Sequence, residues 1–160
     1  MCLADLLSLT DDQKSKVHAL SKQLAIAEIP YLYGSKPDYS FSVEEIVQKK
    51  LSVDCSWLTK YIFDKLGIII QEGSSNQYGL SAIIQFGQEQ IGDLVFKTEQ
   101  GIIHHVGLIM GVNPSMTVEA SGTFKKVVIR TLDQFKVFPP YAQFAGIRRL
   151  DKSKIKIIEG

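Results

Sequence analysis

Ile102-Ile103-His104-His105-Val106-Gly107-Leu108-Ile109-Met110-Gly111 is a β-branched, apolar run that ends on a turn residue and reads as a β-strand. It belongs to a longer change of pattern that starts at Gly92. From there the chain breaks into short apolar runs at 93–97, 102–110, 116–120, 126–132 and 145–150, separated by turn residues, which predicts an antiparallel sheet. The half before Gly92 has helical spacing instead. Helices first and strands second specify an α+β domain, with a helical layer packed on one face of the sheet.

Three helix starts are legible upstream. Thr10 followed by Gln13 is a capping box, and Val17, Leu20, Leu24 and Ala27 recur at helical spacing, so a first helix is expected over about 11–27. Ser42 with Glu45 caps a short second helix, with Phe41 placed to staple Ile46. A third begins at Asp54, carries Trp57, Leu58, Tyr61, Ile62 and Leu66 on a broad apolar face, and ends at Gly67. The polar residues 73–76 read as a loop and 81–88 as a further short helix.

The chain has 160 residues and 45% hydrophobic content, enough for one domain with an ordinary core. We divide it into a helical lead-in, 1–28, and a core, 29–150. A net charge of +1 from 18 basic and 17 acidic residues, without a run of one sign, offers no footprint for nucleic acid or an anionic membrane. The longest apolar runs, such as 66–70, are too short to span a bilayer. Two cysteines make no disulfide framework, and Met1-Cys2-Leu3-Ala4-Asp5 lacks the basic and apolar regions of a signal peptide.

The chemistry resides in Cys55 and the histidine strand. A thiol with its ordinary pKa of about 8.5 is mostly protonated at neutral pH and needs a base or a positive field to become a nucleophile. Cys55, in the first turn of the third helix, feels the positive end of the helix dipole, and its own N–H can face a developing oxyanion. Strand alternation groups Ile103, His105, Gly107 and Ile109 on one face and Ile102, His104, Val106 and Leu108 on the other, so one histidine of the pair can face the helix. Pairing Glu119 opposite His105 centres the hairpin on Val112, with Gly111-Val112-Asn113 as its loop, and puts the carboxylate on the face of the imidazole. There Glu119 could orient the ring and stabilise imidazolium.

Each residue also has an ordinary structural reading. A lone cysteine is often a small core residue, the histidines could be a half-exposed strand pair, Glu119 a solvated strand residue, and Tyr31 and Tyr33 a cover for the core edge. Cys2, exposed by removal of Met1, could be an N-terminal nucleophile in place of Cys55. Three histidines and no C-x-x-C are too few ligands for a recognisable metal site.

Taken in order, Pro30-Tyr31-Leu32-Tyr33-Gly34, Asp54-Cys55-Ser56, Gly92-Asp93-Leu94-Val95-Phe96, His105-Val106-Gly107-Leu108-Ile109-Met110-Gly111 and Val118-Glu119-Ala120-Ser121 resemble the NlpC/P60 family of papain-like cysteine peptidases. The resemblance runs from about Ile29 to Arg149. It implies hydrolysis of amide bonds in peptidoglycan stem peptides, commonly between D-glutamate and a diamino acid such as meso-diaminopimelate, through a thioester on Cys55. His105 would be the base, Glu119 would hold the third position, and the Tyr31 hydroxyl would lie near the oxyanion. Asp54 and Ser56 match substrate-contacting positions, and Trp57, next along, is grouped with them. No metal or organic cofactor is implied. The same fold could serve as a peptide- or protein-binding module without catalysis, or transfer acyl groups.

The chain departs from the family in four places. Trp57 stands where the family usually has glycine, Ser35 replaces a second glycine, 35–53 is longer than the usual link, and Glu119 takes a position usually held by histidine or another polar residue. With no signal peptide visible, the expectation is a cytoplasmic protein or one exported by a non-classical, phage or specialised-secretion route. Any immunity or delivery partner is unknown from sequence.

Overall fold

The computed structural model describes residues 5–158; Cys2, considered above as a nucleophile, lies outside them. Helix α1, Asp11–Ile26, starts at the Thr10–Gln13 capping box and buries Val17, Ser21 and Leu24. Helix α2, Val43–Gln48, starts at the Ser42–Glu45 box. Helix α3, Cys55–Asp64, is capped by Asp54, whose carboxylate accepts from the Trp57 N–H at 2.8 Å. It ends at Lys65, earlier than the glycine stop suggested. Gly67 instead turns the chain beyond it, in a left-handed conformation (φ 76) that leads into the short strand β1, Ile68–Ile69.

Two expectations fail in the following stretch. The polar segment expected as a loop is helix α4, Ser74–Gly79, because buried Gln77 ties it to its surroundings, its amide donating to the carbonyls of Ser56 and Gln71 at 3.0 Å each. The segment expected as helix forms strand β2, Ser81–Ile84, whose alternating burial leaves Ile83 in solvent and Ile84 inside. Composition marked the first as a loop; tertiary hydrogen bonds overrode it.

The main sheet adds β3 (Leu94–Glu99), β4 (Ile102–Gly111), β5 (Met116–Ser121), β6 (Lys126–Thr131) and β7 (Gln143–Leu150), all antiparallel, in the order β2-β7-β3-β4-β5-β6. A last strand, β8 (Lys156–Ile157), pairs with β1. One face packs Leu94, Phe96, Val106, Leu108 and Val118 against Val17, Leu24, Leu58 and Ile62 of the helical layer. The other has a smaller core of Val95, Ile109, Leu132, Phe135 and Ile147, closed by helix α5, Leu132–Val137. The α+β architecture of N-terminal helices on a C-terminal antiparallel sheet is therefore as the residue pattern indicated. Helix α5 adds to the expected elements, and it starts at a third capping box, formed by Thr131 and Gln134.

The β4–β5 hairpin corrects the expected register. Leu108 pairs with Val118 and Ile109 with Thr117, so Glu119 lies opposite Gly107 rather than His105. The turn is displaced because Asn113, at φ 60, and Pro114 occupy it. A slip of two residues preserves the face, which keeps Glu119 on the side of His105. A second irregularity, between Lys97 and Thr98 in the β3–β4 ladder, breaks the alternation. Ile103 consequently joins the main core with Val106, while His105 stacks on Phe135 at 5.8 Å between ring centroids.

Gly67 offers a test of how the end of α3 is joined to β1 and β8. A Cβ there would meet the Ile158 carbonyl oxygen at 2.8 Å in a backbone conformation unfavourable to side chains. Gly67→Ala should lower unfolding free energy by about 1–3 kcal/mol, read by urea denaturation; an unchanged midpoint would contradict this role.

Candidate active site

The site forms where the N-terminus of α3 meets β4. Segment 29–32 is held between two neighbours, with Ile29 O accepting from Val127 N and Tyr31 N donating to Lys125 O on one side. On the other, Val53 N donates to Pro30 O and Leu32 N to Val53 O. This ties Tyr31 to the entry of α3, and its side chain lines the cleft beside Cys55.

Cys55 is a buried free thiol in the first helical turn, where backbone N–H groups lack helical acceptors. His105 approaches it from β4, near enough for the thiol to act on the imidazole pKa. Its Nε2 contacts Glu119 Oε1 at 3.0 Å, which leaves Nδ1 to serve the thiol. Burial pushes the imidazole pKa down, but its interactions with Cys55 and Glu119 outweigh it and raise the pKa to about 9. The ring is therefore favoured as imidazolium, the partner a thiolate needs.

Glu119 is itself held by a residue that sequence reading did not single out. Arg130 donates from Nε to Oε2 at 2.8 Å and from Nη2 to Oε1 at 3.1 Å, and its Nη1 donates to Phe138 O at 2.8 Å. Burial pushes the Glu119 carboxyl up, whereas His105 and Arg130 pull it down, and the net shift is downward. The signal was present in β6, where Arg130 follows Val128 by two residues in a half-apolar strand, an inward position for a charged side chain. Gly107 completes the packing, since a Cβ there would come within 3.1 Å of the Phe135 ring on which His105 stacks.

The Tyr31 hydroxyl pKa is raised to about 12, chiefly by burial and then by the charges of Cys55 and Asp54, so it remains a donor. Asp54 is already engaged, capping α3 with one oxygen and pairing with the Lys36 ammonium through the other. Ser56 is buried and donates to Asp54 at 3.3 Å. A cleft of about 400 Å³ is lined by Tyr31, Lys36, Asp54, Cys55 and Ser56, among others.

One residue takes another place than expected. Trp57, grouped with the substrate contacts, is fully buried: it stacks between Tyr39 and Tyr61 at centroid distances of 5.8 and 4.4 Å and donates to Pro37 O at 2.8 Å. Its bulk anchors the 35–53 segment to α3. His104 points to the rim and pairs with Glu99 at 3.3 Å.

Residues 28–144 match the NlpC/P60 family. The chain is 31% identical over 93 residues, 58% of its length, to a probable endopeptidase p60 of Listeria grayi, of which the match covers 16%. Its fold is similar to that of a lipoprotein-like NLP/P60 family protein of Staphylococcus aureus, with TM-score 0.67 and 20% identity over 94% of this chain and 45% of that one. The peptidoglycan hydrolase RipB of Mycobacterium tuberculosis gives TM-score 0.61 and 21% identity, covering 95% of this chain and 70% of RipB.

The raised His105 pKa has a consequence for stability. An unfolded histidine titrates near 6.5, whereas the folded one holds its proton to about 9. The imidazole's contribution to stability is present in full below pH 6.5 and is lost as pH rises through 9. Urea denaturation between pH 6 and 9.5 should show this decline in wild type and a shallower one in His105→Gln; parallel profiles would contradict it.

Proposed function

The chain belongs to the NlpC/P60 family, and from that membership and the geometry of its cleft we propose that it is a cysteine peptidase cleaving amide bonds in peptidoglycan stem peptides. The bond between D-glutamate and a diamino acid is the one we assign to it. The observation that carries the reading is His105, paired with Glu119 at 3.0 Å and close enough to Cys55 for the thiol to help raise the imidazole pKa. The p60 endopeptidase name of the Listeria relative and the peptidoglycan hydrolase name of RipB support the substrate class.

In this reaction Cys55 Sγ attacks the scissile carbonyl carbon as thiolate, with the proton on His105. The oxygen gains negative charge and is met by the Cys55 N–H and the Tyr31 hydroxyl. As the C–N bond breaks, His105 gives its proton to the departing amine, leaving the acyl group as a thioester. A water that loses a proton to His105 then attacks the thioester and restores the thiolate–imidazolium pair. Glu119 holds the ring and its positive charge, and Arg130 keeps Glu119 ionised in a buried place. With Asp54 committed to the helix cap and Lys36, the acyl-side cleft presents an already neutralised carboxylate to the substrate.

Mass spectrometry of purified peptidoglycan fragments and free stem peptides after incubation tests this reading. Wild type should hydrolyse one defined amide bond, and Cys55→Ala should lower the rate by at least about 1,000-fold. Cleavage that persists in Cys55→Ala, or binding of peptides with no cleavage by wild type, would overturn it.

A further inference from the structure

Lys97 is a buried cation beside the reacting groups, and the mechanism above leaves it without a task. It lies directly opposite His105 on the neighbouring strand and is only 1% exposed. Its ammonium donates to Phe138 O at 3.0 Å and lies 5.3 Å from the centre of the Phe135 ring. An ammonium has three donors, so two remain. Glu119, the nearby carboxylate, has its oxygens taken by His105 and Arg130, and among the described residues Lys97 forms no ion pair. Burial and the charge of Arg130 lower the Lys97 pKa, against the opposing influence of Glu119. A buried charge so poorly matched is costly unless something else answers it.

Lys97 borders a pocket of about 70 Å³, shared with Tyr31, His105, Glu119, Thr123 and Tyr141. That is room for a carboxylate-sized group and little more. The pocket is lined by His105 and not by Cys55, whereas the larger cleft is lined by Cys55 and not by His105. In an acyl transfer the acyl carbon sits on the thiol and the departing amine takes its proton from the imidazole, so the pocket is on the leaving side. At its edge Glu99 pairs with His104, and the Thr123 and Tyr141 hydroxyls lie 3.2 Å apart, adding polar groups around the entrance.

We propose that this pocket receives a free carboxylate on the residue released by cleavage, with Lys97 as the side chain that selects it. The inference rests on the peptidase reading and narrows its substrate to stem peptides whose leaving diamino acid carries an unblocked carboxylate. A role confined to supporting the charge of Glu119 would act on every substrate alike, and this difference makes the two roles separable.

The experiment compares matched stem peptides in which the leaving diamino acid carries either free carboxylates or carboxamides. Wild type should favour the carboxylate form by about 10- to 100-fold in kcat/KM, as for a hydrogen bond to a charged group. In Lys97→Met the ratio should fall to near one, and Lys97→Arg should restore part of it; thermal melts check that both variants fold. An unchanged ratio in Lys97→Met, or no preference in wild type, would overturn the proposal and leave Lys97 a positioning residue for Glu119. If wild type cleaves neither peptide, the peptidase reading fails, and calorimetry with diaminopimelate and its diamide still decides the pocket. Binding of the acid alone, lost in Lys97→Met, supports it; equal or absent binding of both overturns it.

Discussion

The buried carboxylate of Glu119, held on one side by Arg130 and on the other by His105, is the interaction on which the rest of the site depends. A carboxylate in that position would favour its neutral form without a fixed cation, and a neutral carboxyl would give up its hold on the imidazolium. Arg130 supplies the cation with its planar fork, which fits both oxygens of Glu119. The third guanidinium nitrogen donates to Phe138 O, just past α5, and so ties the charge cluster to the helix that brings Phe135 under the His105 ring.

This arrangement couples chemistry to sheet register. Glu119 pairs with Val128 and Thr117 with Arg130, which places the acid and the base diagonally on one face of adjacent strands. On the other side of β4, Lys97 pairs with His105, so four charged or titratable side chains from four strands meet beneath α5. A one-residue slip in any of these ladders would turn its residue to the opposite face. The helical layer contributes a separate constraint: Asp54 fixes the start of α3 and thereby the location of Cys55, while Trp57 locks the long 35–53 segment onto the same helix.

Local signals in the sequence were sufficient for the caps of α1 and α2, the helix start at Cys55 and the five principal strands, because each depends on neighbours in the chain. Where distant contacts decide, the reading failed. Gln77 turns a loop-like composition into α4, pairing with β7 makes 81–84 a strand, and the buried stack of Tyr39, Trp57 and Tyr61 removes Trp57 from the cleft. The grouping of Glu119 with His105 survived a two-residue error in register because alternation has a period of two. Arg130 and Lys97 were legible only as charges in strands, and what each faces is set by the fold.

Glu119 and Cys55 together hold His105 as imidazolium, and titration of the His105 ring by NMR in wild type and Glu119→Gln reads this out. The wild-type ring should titrate near 9 and the variant's clearly lower. A wild-type ring that titrates near the ordinary 6.5, or one that the substitution leaves unmoved, would contradict it.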